Sequence, residues 1–147
     1  MDKEELFNNV VQSLTKWIVD FAAEKIPDGQ FLNWDAHAII EELPKDNILF
    51  GPAGCALTED EEGISIIFSF GISVNEDKNL FRLTRMISSL YGRLRPKTRI
   101  PIYDHDSTQE ISALIIRTPV EITPVAKAEI RSMQFVNASG LLVTSAL

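Results

Sequence analysis

"GISIIFSFGISV" (63–74) runs straight into "NEDKNLFRLTRMISSLYGRLRP" (75–96), and the change of period between them decides the fold class. The first stretch is rich in Ile, Val and Phe, as a strand requires. It is joined to another β-rich run, "NILFGPAGCALT" (47–58), through "EDEEG", which reads as a hairpin. Gly51, Pro52 and Gly54 interrupt that earlier run and predict a bulge or irregular start. The second stretch returns to a helical period over 76–95. Asn75 is its expected cap, Glu76 and Asp77 fall in the first turn, and Arg93 and Arg95 fall in the last turn before Pro96.

Working outward, residues 3–25 predict an amphipathic helix, with Leu6, Val10, Leu14, Trp17, Ile18 and Phe21 in one stripe and "IPDG" (26–29) as its stop. A shorter helix is expected from Trp34 to Leu43, between Asn33 and Pro44. Beyond the central helix come a loop at 103–108 and two β segments, 110–125 and roughly 128–145. Pro119 and Pro124 demote part of the first to an edge or a bulge. The expected fold is α+β: a mostly antiparallel sheet of about four strands, with the N-terminal and central helices packed on it. The 147 residues are expected to form a single domain, large enough to bury roughly 68–70% of the unfolded surface. No apolar run is long enough to span a membrane, and the acidic, polar start lacks the pattern of a signal peptide. The lone Cys55 excludes an internal disulfide and reads as a small core hydrophobe.

Charge is the unusual feature. The chain carries −7 overall, yet seven of its fourteen basic residues lie between Lys78 and Arg99, a span with no acid. Residues 1–77 carry −12 and residues 100–147 carry −2. On a helical wheel Lys78, Arg82, Arg85, Ser89 and Arg93 fall within about 80° of one another. Leu80, Leu83, Ile87, Leu90 and Leu94 fall opposite, and Arg95, Lys97 and Arg99 extend the basic stripe past the helix end. Three explanations fit: a solvated face bridged to acids of the same chain, a face that meets the acidic surface of another copy, or a phosphate-binding face. The third suits a pI near 4.8 poorly and lacks aromatic interleaving, so no sequence-specific nucleic-acid binding is expected. The acids Glu59, Asp60, Glu61 and Glu62 at the hairpin tip are the natural counterpart of the second explanation.

Chemistry-bearing motifs are weak. "GPAGCALT" (51–58) lacks the Gly-Lys-Ser/Thr end of a phosphate loop. "YDHDSTQE" (103–110) offers Asp104, His105, Asp106 and Glu110 to a cation. As a calcium loop it has Gln109 where glycine is needed and Ile115 where glutamate is needed, so an exposed polar turn is expected. His37 stands beside Asp35 and reads as a surface or interface histidine. "NAS" (137–139) without a secretory signal is a chance sequon. With two histidines and no strained Gly-x-Ser-x-Gly turn, no triad assembles, and neither enzyme activity, metal nor cofactor is expected.

In element order the chain resembles the small tail-terminator proteins of long-tailed bacteriophages. That order is an N-terminal amphipathic helix, a β-hairpin, a second helix and a long C-terminal β-hairpin closing on a strand ("GLLVTSAL"). "FLNWDAHAIIEELP" (31–44) is additional to it. The resemblance implies a homo-oligomeric ring, six-fold in that family, that caps the tail tube and joins it to the head connector. It implies a virion protein of the tail or neck, assembled in the bacterial host cytoplasm, with tail-tube and connector proteins as partners and no membrane. The basic helix face, Lys78 to Arg99, and the acidic tip would then be its contact surfaces. Secretion chaperones, small acidic cytosolic α+β proteins acting as dimers, are the alternative.

Overall fold

A computed structural model describes residues 3–26, 30–32, 46–51, 54–77, 80–128 and 130–144. Helix α1 spans Lys3–Lys25, as the apolar stripe predicts. Strands β1 (Gln30–Leu32) and β2 (Asn47–Leu49) follow, then β3 (Cys55–Asp60) and β4 (Gly63–Asn75). Helix α2 (Phe81–Arg93) leads to β5 (Arg99–Tyr103), β6 (Glu110–Ile122), β7 (Ala126–Ala128) and β8 (Arg131–Thr144). The helix expected at 34–43, with His37, lies outside the described residues.

The α+β class and the mostly antiparallel pairing hold; the expected count of about four strands does not. The described residues form one curled sheet of eight strands, ordered β1-β2-β4-β8-β6-β5, with β3 added beside β4 and β7 beside β8. β5 forms at 99–103, where no strand was expected, and two causes account for the rest of the surplus. The run 47–58 is cut at Gly51–Gly54, where the Gly54 N–H donates to the Gly51 carbonyl at 2.9 Å, so it yields β2 and β3 in place of one strand. Both pair antiparallel with the same edge of β4, at 71–73 and 63–68 respectively. The short strands β1, which runs parallel to β2, and β7 have too few residues to show a period. Pro119 acts as expected: β6 shifts register between Arg117 and Glu121 around a cis Thr118–Pro119 bond.

β4 and β8 form the spine, paired from Ser65↔Leu141 to Asn75↔Arg131. Even-numbered residues of β4, from Ile66 to Val74, point to the helices and are buried. They meet Leu6, Val10, Leu14, Ile18 and Phe21 of α1 and Leu83, Ile87 and Leu90 of α2 in one apolar cluster. Trp17 stacks on Phe70 with ring centroids 5.5 Å apart, and Phe50 and Phe68 pack on the same ring. Close approach of the backbones fixes one glycine. A Cβ on Gly140 would stand 2.7 Å from Leu114 Cγ and 2.9 Å from the Ile115 carbonyl oxygen. The opposite face of the sheet carries Ala56, Ser65, Ile67, Ser69 and Ser139, and there Ser69 Oγ donates to Asn137 Oδ1 at 2.7 Å.

The central helix starts later than its sequence pattern predicts. Asn75 completes β4, and α2 begins at Phe81 after Leu80, whose φ of 59° is left-handed. Leu80 supplies no side-chain cap. The Asp77 carboxylate does so from three residues upstream, accepting the Leu83 N–H at 2.8 Å. Acid at the helix start therefore works as a detached cap.

Candidate functional site

The basic stripe is divided by the fold. Arg82 projects from the first turn of α2 onto Asp46, with Nε 2.8 Å from Oδ2 and Nη2 3.2 Å from Oδ1, and it also donates to the Asn75 carbonyl. Asp46 accepts the Asn75 N–H too, at 3.2 Å. Its hydrogen bond holds the Arg82 guanidinium above the usual arginine range. Arg93 pairs with Glu24 near the end of α1 and lies 5.6 Å from the Phe21 ring centroid, tying the two helices together. The same hydrogen bond lowers Glu24 below the ordinary carboxylate range. Arg99 pairs with Glu110 across β5 and β6. These three arginines are thus neutralised by acids of their own chain.

Four positions of the predicted stripe remain. Arg95 lies over the Tyr91 ring at 5.6 Å. Lys97 adopts a φ of 75°, and its N–H donates to the Ile116 carbonyl at 2.7 Å, so its backbone is built into the β5–β6 corner. Lys78 lies outside the described residues. Arg85 is exposed and has no acidic partner among the described residues.

The acidic residues form one exposed turn. Asp60 pairs with Gly63 across the β3–β4 hairpin, and the Glu62 N–H donates to Asp60 Oδ1 at 2.8 Å. Glu61 and Glu62 fill the two turn positions and point to solvent. The tip leads into the Gly63 end of β4, whereas Arg82 and Arg85 stand beside its Asn75 end. The strand is thirteen residues long, so its ends lie about 40 Å apart along it at 3.3 Å per residue. A Debye length of about 8 Å at physiological salt keeps the two from neutralising each other within one protomer.

One charged cluster gave no sign of itself in the sequence. Arg131, at the start of β8, is fully buried, and its Nε donates to Ser73 Oγ at 2.9 Å. Burial lowers its pKa, opposed by the charge of Asp46. Asp46 therefore pairs with one guanidinium at the surface and lies near enough to the buried one for its charge to act on it. No local pattern distinguishes Arg131 from a solvated strand arginine, because its burial comes from pairing between segments distant in sequence.

The loop at 103–108 is the polar turn its composition predicts. The Asp104 carboxylate accepts the Asp106 and Ser107 N–H groups at 2.8 and 3.3 Å, closing the turn on itself. Asn9 and Ser13, polar residues on the buried side of α1, hold the loop by accepting the His105 and Tyr103 N–H groups at 3.0 and 2.9 Å. The groove between loop and helix, about 380 Å³, is lined by Gln12, Lys16 and His105 among others. Lys16 is already paired with Asp20 at 3.0 Å. Among the described residues no three of His, Cys, Asp or Glu converge as metal ligands. Burial pushes the Cys55 thiol up to about 11, which makes it a poor nucleophile at neutral pH. No helix among the described residues is long and apolar enough to cross a membrane.

No protein-family model matches the chain, and no curated protein matches it significantly.

Proposed function

We propose that this chain is a structural assembly protein that associates head to tail into a ring, in the role of a phage tail terminator. In that role it caps the tail tube, joins it to the head connector and resides in the virion neck, with no catalysis of its own. One observation carries the reading. An exposed acidic turn and an arginine without an acidic partner among the described residues stand at opposite ends of the thirteen-residue strand β4. Opposite charges so placed can meet only between copies, and the resulting heterologous contact closes into a ring when the rotation permits. Element order supports the same reading: helix, β-hairpin, helix and a long C-terminal β6–β8 pair.

Native mass measurement tests it, at low salt and at about 1 M salt, where the Debye length falls to about 3 Å. Assembly predicts a particle of about six protomers at low salt that shrinks as screening rises. A single protomer at every concentration and salt defeats the proposal. A stable dimer supports the chaperone alternative in its place.

A further inference from the structure

We propose that the acidic β3–β4 hairpin of one copy docks on a patch formed by Phe81, Arg85 and Ile130 at the far end of β4 on the next copy. This rests on the assembly reading above and names the contact that builds it. Phe81, the first residue of α2, is 70% exposed, and Ile130, in the turn before β8, is 52% exposed. The two flank one short segment. The Glu76 N–H donates to the Ile130 carbonyl at 2.9 Å, with the Glu76 side chain exposed at the patch border, and Asp77 is spent in capping α2 at Leu83. Arg85 follows Phe81 by four residues and so shares its helix face. Phenylalanine and arginine are both enriched at protein–protein interfaces.

The hairpin offers a two-part complement. Glu61 and Glu62 lead with charge toward Arg85, and the Asp60 turn bond holds them in place. Behind them Ala56 and Ile67 face each other across β3 and β4 on the sheet surface away from the helices, with Ile67 56% exposed. That apolar flank can cover Phe81 and Ile130 while the acids engage the arginine. Because donor and acceptor patches lie at opposite ends of β4, each copy uses both, and the chain of contacts propagates around a ring.

The test uses three variants of the whole chain, read by native mass against concentration, with circular dichroism to verify folding. Arg85→Glu alone and Glu61→Lys/Glu62→Lys alone should each raise the concentration at half assembly by about tenfold or more. Mixed one to one, they should assemble again, because each reversed patch then finds its complement on the other variant. An alternating ring of this kind closes for an even number of subunits. Phe81→Ala should raise the half-assembly concentration without reversing any charge. Wild type that assembles while all three variants assemble equally well overturns this contact and leaves the ring reading standing. Loss in both charge variants without recovery on mixing shows that tip and arginine do not meet, and also overturns it. Wild type that stays a single protomer overturns the ring reading and this contact together.

Discussion

Arg82 and Arg85 sit three residues apart on the same basic face, and the structure requires them to respond unequally to mutation. Arg82 holds Asp46 with two hydrogen bonds at 2.8 and 3.2 Å, and the Asp46 side chain is only 17% exposed. Truncating Arg82 to alanine leaves that carboxylate mostly out of water, with the Asn75 N–H at 3.2 Å still donating to it. Hydrogen bonds to charged groups contribute about 1.5–3 kcal/mol, and breaking a fully buried pair costs about 3–5. Arg82 is 42% exposed, so screening argues for the lower range, and Arg82→Ala should cost about 2 kcal/mol. With a urea slope of about 2 kcal/mol per molar, the midpoint should fall by about 1 M. Arg85 touches no acid among the described residues, and Arg85→Ala should move stability by less than about 0.5 kcal/mol. Urea denaturation of both variants, with Asp46→Ala and the Arg82→Ala/Asp46→Ala double variant, gives the coupling energy directly. A coupling of about 1–2 kcal/mol is expected. Equal midpoints for Arg82→Ala and Arg85→Ala, or additive effects of Arg82→Ala and Asp46→Ala, would refute the division of the basic face into paired and free arginines.

Other consequences test the packing. Ile87 is 2% exposed on the inner side of α2, so Ile87→Ala should cost about 2–5 kcal/mol in the same denaturation assay, and a cost below about 1 would place that side chain outside the core. Gly140→Ala forces a methyl group against Leu114 and the Ile115 carbonyl; it should destabilise by about 1–3 kcal/mol, and a neutral effect would mean that β6 can retreat from β8. Cys55, with its thiol near 11 and not the usual 9, carries about a hundredfold less thiolate at pH 8, so alkylation should be about a hundredfold slower than in denatured protein. Its raised pKa also gives a stability contribution that is complete below pH 9 and fades as pH climbs toward 11. A stability flat across that window in wild type, compared with Cys55→Ala, would contradict the burial.

Periodicity made the frame legible because burial of one face leaves its mark on the sequence. Leu6 to Phe21 and Leu83 to Leu90 are spaced for helices, and those are the side chains that reach the core. Strand number escaped the same treatment. A three-residue strand such as β2 or β7 spans barely one alternation, and its place in the sheet is decided by the partner strand, β4 or β8, that lies elsewhere in the chain. The start of α2 escaped for a related reason. Asn75, Glu76 and Asp77 have the composition of a helix start, but β4 needs Asn75 for its pairing with Arg131, and the helix can begin only after the chain has turned.

The charged face shows where reading along the chain reaches its end. A wheel places cations opposite the apolar stripe because side-chain direction follows from the helical repeat alone. Whether a cation is spent or available depends on acids that arrive from other elements: Asp46 before β2, Glu24 from α1 and Glu110 from β6. Sequence separations of 36, 69 and 11 residues lie beyond any local spacing rule. The same folding that silences Arg82, Arg93 and Arg99 leaves Arg85 beside an exposed Phe81, and it carries the acidic turn to the other end of β4. A net-negative chain can thereby hold exposed cations, Arg85 among them with Arg95 and Lys97, apart from its acidic turn. If the proposed assembly forms through these charges, Arg85, and not the paired Arg82, Arg93 and Arg99, is where it should be most sensitive.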